Sequence, residues 1–325
     1  MERTRWGILG TGSIATKFAL GLRAADNAEL RAVGSRSSQT AETFAREHGA
    51  SHAHASYSEL AEDPEVDAIY IATPHVLHRE NALTCIAGGK AVLCEKPFAM
   101  NVREGEEMVA AARSADTFLC EAMWTRFLPG TRRVRELIAS GAIGEPRQLN
   151  CDFGFRTDFD PLSRLFNPAL GGGALLDVGI YCVAYAHMVF GSAPAEIQSA
   201  AHLGETGVDE QSAYLFRYES GAIAQLSSAT RTQTSHKATI SGTEGSIEIP
   251  SFWHAQELIV NGKQERHPYK GNGYTHEAIA VGEALSSGQT ECAEVPLEET
   301  LQIARSLDEI RAQWGLTYPA DEVRE

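Results

Sequence analysis

Cysteine is scarce in this chain and poorly spaced for metal or disulfide chemistry. Six lie among 325 residues, at positions 85, 94, 120, 151, 182 and 292, with no C-x-x-C pair. That spacing excludes the common metal-binding frameworks. Several sit inside apolar runs, where a thiol packs as a small hydrophobe, and a reduced, cytoplasmic set is the simplest reading. Basic residues are also short: 28 Lys and Arg face 43 Asp and Glu, a net charge of −15. With no basic stripe to offset it, this balance excludes a nucleic-acid partner. No apolar run reads as long enough to span a bilayer, and Met1-Glu2-Arg3-Thr4-Arg5 leads into a strand without an apolar signal region. The expectation is a soluble intracellular protein with no membrane partner. Repeats, low-complexity segments and long linkers are absent too.

What is present suits two domains. The 43% hydrophobic content is ordinary for a globular chain, and 325 residues exceed the usual size of one core. Trp6-Gly7-Ile8-Leu9 reads as a strand; Gly10-Thr11-Gly12-Ser13-Ile14-Ala15 follows, and a helical pattern continues to Leu22. A G-x-G-x-x-A turn between strand and helix is the context that binds dinucleotides. The first glycine makes the turn, the second admits a pyrophosphate to the helix amino end, and the alanine lets helix and strand pack. The second strand, 30–33, ends in Gly34-Ser35-Arg36, with no acid to bond the ribose 2′-hydroxyl of NAD. Ser35 and Arg36 suit a 2′-phosphate instead, which favours NADP over NAD; otherwise Arg36 stacks on adenine or is solvated.

Further strands at 68–72, 91–93 and 117–120 alternate with helices, which specifies a doubly wound parallel sheet, an α/β fold. His75 and His78 follow the strand 68–72 without a third ligand, so they read as cleft-lining or structural residues and not as a metal site. Lys96, in Cys94-Glu95-Lys96-Pro97, emerges at the carboxyl end of a buried strand, where ligands sit in such sheets. There it either stabilises charge on a reacting oxygen or points into water.

The stretch 121–127 reads as the crossing between domains, giving a first domain at 1–122 and a second at 123–325 for substrate binding and oligomerisation. A helix from Pro129 to Ala139 and a strand at 148–155 follow. Gly171-Gly172-Gly173 then opens a helix through Met188. Asp177 and Tyr181 are four apart, so one helix face would carry both. They are either dipole and core residues, or Tyr181 is a proton donor and acceptor whose phenol (pKa ~10) a nearby ammonium would lower. From Glu196 onward, short strands and tight turns predict an open-faced, mainly antiparallel sheet with helices on one side, an α+β domain. Its bare face predicts a homodimer or higher homo-oligomer. Helices at 277–285 and 298–313 close the chain.

Taken together, the residues 10–15, Thr73-Pro74 with His78, Glu95-Lys96-Pro97 and the run 171–181 resemble the glucose-fructose oxidoreductase / inositol dehydrogenase / MocA (Gfo/Idh/MocA) family over nearly the whole chain. The resemblance implies a Rossmann domain, a nicotinamide cofactor and hydride transfer at a carbinol or carbonyl carbon, often on a sugar. It places Gly10, Gly12, Ser13, Ile14, Ala15, Ser35, Arg36, Thr73, Pro74, His75, His78, Glu95 and Lys96 around the cofactor. Tyrosine at 181 is similar to the dimeric dihydrodiol dehydrogenase / NADP-dependent D-xylose 1-dehydrogenase branch. A second phosphate-contacting basic residue of that branch is replaced here by Thr40. By the same resemblance Trp124, Phe153, Arg156, Asp177, Tyr181 and Trp253 line a site for a sugar, polyol or cyclic diol, with Lys96, Tyr181 and Asp177 catalytic. Competing classes are a non-catalytic dinucleotide sensor, which has no need of a proton relay, and a carbohydrate-binding module, which has no need of the glycine turn.

Overall fold

Apolar runs in the first 122 residues become the strands of one parallel sheet in the computed structural model, which describes residues 3–322. Met1 and Glu2, part of the expected lead-in to the first strand, lie outside the described residues. The strands are β1 (Thr4–Leu9), β2 (Ala28–Gly34), β3 (His52–His54), β4 (Ala68–Ile71), β5 (Ala91–Glu95) and β6 (Leu119–Ala122). Their order is β3-β2-β1-β4-β5-β6, so the direction of winding reverses between β1 and β4. β4, β5 and β6 are buried at every position, as expected for strands covered on both faces. The helices between them are α1 (Ser13–Leu22), α2 (Ser38–His48), α3 (Tyr57–Glu62), α4 (His78–Ala87) and α5 (Val102–Ser114). α1 seals against the sheet through Phe18, whose ring stacks on Tyr70 at 3.8 Å and meets Trp6 edge-on at 5.1 Å. Burying each such side chain contributes about 1.5–3 kcal/mol.

Contacts divide the chain into two compact units, one of residues up to Ala99, Arg103–Phe127 and Tyr269–Thr300, the other of Met100–Val102, Leu128–Pro268 and residues from Leu301 onward. This differs from the single boundary expected after residue 122. The helix Tyr274–Ser286 belongs to the first unit because it packs on α1. Thr275 Oγ1 donates to the Gly21 carbonyl at 2.9 Å, and Asn27 Nδ2 to the Ile279 carbonyl at 3.0 Å. A late return of this kind leaves no trace in local periodicity.

The second unit holds α6 (Pro129–Ala139), a π-helical turn over Leu175–Gly179 that runs on as α7 (Ile180–Phe190), and an eight-stranded sheet. Its strands are β7 (Pro146–Gly154), β8 (Glu196–Leu203), β9 (Asp209–Arg217), β10 (Ile223–Ala229), β11 (Ala238–Gly242), β12 (Ser246–Ile249), β13 (Glu257–Val260) and β14 (Lys263–Arg266). They lie in the order β14-β13-β12-β11-β7-β10-β9-β8, with β7 and β10 parallel and the other neighbours antiparallel. One face takes the π turn and α7. The other presents Ala213 and Leu215 of β9, with Asn150, Gln198, Gln225 and Lys237, around an open concavity of about 770 Å³.

One expectation is corrected here. Within the mostly helical stretch Pro168–Phe190, an 18-residue window has a mean hydropathy of 1.5, apolar enough by composition to cross a bilayer, yet 89% of that window is buried inside the protein. It is the core helix of this unit, apolar because it is enclosed.

Candidate active site

The cofactor side is built at the carboxyl edge of the parallel sheet, where ligands bind in open α/β folds. Gly10 leaves β1 at φ +108°, and a Cβ there would sit 3.0 Å from the Ala72 carbonyl oxygen, so glycine is required twice over. A Cβ at Gly12 would meet nothing within 4 Å. Gly12 caps α1 without a side-chain bond, and the first bond of the helix runs from the Thr16 amide to its carbonyl, at 3.1 Å. The amides of Ser13, Ile14 and Ala15 therefore precede the intrahelical ladder and are left to bond the phosphates of a dinucleotide. The residues present fit the group.

At the end of β2, Ser35 is buried and its hydroxyl meets Thr40 Oγ1 at 2.6 Å. The side chain at the departing position 40 thus shapes the turn. Arg36 beside it is exposed and, among the described residues, has no ion pair.

β4 and β5 end in two turns that brace one another. Thr73 Oγ1 accepts from Asn81 Nδ2 at 3.0 Å. His78 is fully buried, with Nδ1 2.8 Å from the Pro97 carbonyl and Nε2 3.0 Å from the Thr73 carbonyl. Burial holds its pKa below the ordinary value against the pull of the backbone carbonyls. Of the two roles left open by the sequence, the structure shows a clamp between turns. His75 is buried next to it, ring to ring at 5.8 Å.

Glu95 accepts from the Tyr70 hydroxyl on one oxygen and from the Lys96 amide, at 3.0 Å, on the other. Burial raises its pKa. Lys96 follows, half-buried, with a cis bond to Pro97. Glu121, at the end of β6, accepts from the Phe98 amide at 3.1 Å and is pushed up to about 7, mainly by burial. Glu277 joins these two acids, fully buried, its pKa also raised by burial. Trp124 is buried in this unit and stacked on Tyr274 at 4.7 Å.

In the second unit, Phe153, Tyr181 and Trp253 come together although more than 25 residues separate each from the next. Phe153 stacks on Trp253 at 5.0 Å and lies 5.5 Å from the Tyr181 ring. His236, absent from the sequence reading, completes the cluster. Its ring lies 4.9 Å from Phe153, Nε2 meets the Gly154 carbonyl at 2.6 Å, and Nδ1 accepts from Trp253 Nε1 at 3.3 Å. No periodicity marks it, because it stands at positive φ in a loop between β10 and β11. Arg156 is exposed, pairs by backbone with Arg231, and makes none of these ring contacts.

Asp177 is buried and bonded by Arg164 Nη1 at 2.9 Å, a partner not expected from the sequence. The shared α-helical face expected for Asp177 and Tyr181 needs correction. The Ile180 amide reaches back five residues to the Leu175 carbonyl, so the segment between them is a π turn, which widens the helix and re-aims its side chains. Asp209 caps that turn by accepting from the Leu175 amide at 2.8 Å; burial pushes its pKa up to about 7.

A doubly wound parallel sheet with an open glycine turn at its switch point defines a dinucleotide-binding protein. Residues 4–122 match the model of the oxidoreductase family with an NAD-binding Rossmann fold, and residues 131–248 match the GFO/IDH/MocA C-terminal domain. The chain is 39% identical over 331 residues to trans-1,2-dihydrobenzene-1,2-diol dehydrogenase of Mus musculus, covering 98% of this chain and 99% of that one. The Homo sapiens enzyme of the same name is 38% identical over 332 residues, with the same coverage. Among solved structures, aldose-aldose oxidoreductase from Caulobacter crescentus complexed with glycerol superposes with a TM-score of 0.88 at 26% identity, covering 97% and 99% of the two chains. A 3-ketoreductase from Actinomadura kijaniata in complex with NADP and TDP-benzene gives 0.83 at 26%, covering 96% and 98%. The chain belongs to the Gfo/Idh/MocA family and is an NAD(P)-binding oxidoreductase.

Proposed function

We propose that the protein is an NADP(H)-preferring dehydrogenase acting on a carbinol or carbonyl carbon of a cyclic diol, sugar or polyol. The observation that carries this is the carboxyl edge of the parallel sheet. There an open glycine turn after β1 and a lysine turn after β5, braced by Glu95 and His78, flank the end of β4. Ser35 and Arg36 at the end of β2 support the 2′-phosphate preference. The names of the relatives, a dihydrodiol dehydrogenase and an aldose oxidoreductase, support a hydroxylated ring as substrate, and the rings of Phe153 and Trp253 suit its apolar face.

The bound nicotinamide supplies the hydride acceptor for oxidation and the donor for reduction. In the proposal Tyr181 removes the substrate hydroxyl proton during oxidation and returns one to the carbonyl oxygen during reduction. Lys96 stabilises negative charge on that oxygen and favours the ionised phenol. Asp177 orients Lys96 or a substrate hydroxyl.

A reduction screen with NADP⁺ and NAD⁺ against dihydrodiols, free sugars and polyols tests the reading. Turnover with at least one hydroxylated ring, faster with NADP⁺, is expected. Dinucleotide binding without turnover on any of them would make the protein a sensor instead.

The bare sheet face carrying Leu215 supports a homodimer. Sedimentation should give a dimer for the native chain and a monomer for Leu215→Glu; a native monomer at micromolar concentration would remove that part.

A further inference from the structure

A cluster outside the proposed active site brings two histidines and an aspartate together at the edge of the parallel sheet. β3 is only His52-Ala53-His54, and strand alternation turns residues 52 and 54 to one face. Asp63, at the carboxyl end of α3, faces them. His52 Nδ1 lies 2.6 Å, and His54 Nε2 2.8 Å, from the same Asp63 oxygen, Oδ2. One ligand atom from each residue lies within 4.8 Å of the other two. The two rings stand at 88° to one another, so their nitrogens approach that point from different directions.

The carboxylate is held in place from every side. Its side chain is 3% exposed, and Oδ1 accepts from the Glu65 amide at 2.8 Å. The backbone carbonyl of Asp63 accepts from the buried Lys90 ammonium at 2.5 Å, which also bonds the Val66 carbonyl at 2.9 Å. The histidines are 34% and 21% exposed, which leaves a path in from solvent. On the far side of the His52 ring, Glu65 Oε2 stands 3.8 Å from Nε2 and 3.4 Å from Arg31 Nη1.

We propose that His52 Nδ1, His54 Nε2 and Asp63 Oδ2 form a binding site for a divalent transition-metal ion, Zn²⁺ by the match of donors. Two imidazole nitrogens and one carboxylate oxygen are the ligand types this ion selects, with water completing the shell. Calcium and magnesium, which prefer all-oxygen shells, are disfavoured. Metal bonds of roughly 2.0–2.2 Å require the three atoms to spread by several tenths of an ångström from their hydrogen-bonded spacing. A three-residue edge strand has room for that. Bound there, the ion pins β3 to the end of α3. It acts next to the cofactor edge as well, because the His54 carbonyl accepts from the Ser35 amide at 3.1 Å.

The test uses the full chain stripped with a chelator and titrated calorimetrically with Zn²⁺, without substrate or cofactor. One ion per chain is expected. His52→Gln and His54→Gln should each weaken binding at least ~10-fold, whereas His202→Gln, on the surface of the other unit, should leave it unchanged. Absence of saturable uptake, or uptake that survives both substitutions, overturns the proposal. Should either variant misfold, ring ¹⁵N spectra of the native chain decide. Zn²⁺ must shift the resonances of His52 and His54 among the eleven histidines, and a response confined to other histidines rejects the site.

Discussion

At the scale of single residues, side chains at the ends of strands do different work from those one turn further on. Arg36 is exposed at the end of β2 with no ion pair among the described residues, so its guanidinium is available to a 2′-phosphate. In the proposed reading, replacing it with alanine removes a charge-assisted contact that only NADP would make. Arg36→Ala should raise the dissociation constant for NADP⁺ by roughly 10-fold or more and leave that for NAD⁺ nearly unchanged, as read by calorimetric titration. Equal weakening of both would assign Arg36 to adenine stacking. The places of the glycine turn and of Lys96 at strand ends were legible because each follows a buried apolar run. His236, Arg164 and Asp209 were not. Their positions are set by packing between segments distant in sequence, and neither periodicity nor motif marks them.

At the scale of elements, the π turn is the feature that helical spacing alone could not give. A four-residue separation reads as one face only while every amide bonds four residues back. Between Leu175 and Ile180 it bonds five. Gly179, the last residue of that turn, packs against β9 and β10, where an added Cβ would fall 2.6 Å from the Tyr214 hydroxyl and 2.9 Å from that of Ser228. Those two hydroxyls bond each other, so neither yields without cost. Gly179→Ala should therefore destabilise the second unit by about 1–3 kcal/mol, measured by urea unfolding. It should also lower turnover more than cofactor affinity, since the turn runs into α7, which carries Tyr181. Wild-type stability would show that the turn has slack. The parallel strands, by contrast, were read correctly from buried apolar runs alone, while β3 is too short for any pattern to register.

At the scale of the molecule, both units enclose acids whose ionisation opposes folding. Glu121 and Asp209 are pushed up to about 7, and Glu95 and Glu277 are also raised, in each case chiefly by burial. A raised folded-state pKa means the folded chain holds a proton that the unfolded chain has lost. The stability this brings is complete below the unfolded value near 4 and disappears as pH climbs to the folded value. His78, depressed by burial, acts with the opposite sign below its ordinary 6.5. Acids lowered by hydrogen bonds, such as Asp67, Asp152 and Asp321, stabilise above their unfolded value and lose that contribution in acid. With four raised acids against one buried histidine, urea midpoints should fall between pH 5 and pH 7. Each acid contributes a slope of at most roughly 1.4 kcal/mol per pH unit. Glu121→Gln should flatten the slope of the first unit and Asp209→Asn that of the second; unchanged slopes would mean these carboxyls ionise in place.

The two-unit division shows the same limit on a larger scale. The helix Tyr274–Ser286 was expected from its own sequence, but its return to α1 depends on a hydrogen bond spanning 254 residues. In the proposed reaction an ammonium and a phenol, Lys96 and Tyr181, perform the proton chemistry beside a nicotinamide. Turnover number and NADP⁺ dissociation constant, measured side by side for Tyr181→Phe and Lys96→Met, test it most directly. Each substitution should lower turnover by ~10²-fold or more, with the dissociation constant nearly unchanged for Tyr181→Phe. Near-normal turnover in either folded variant would contradict the claim.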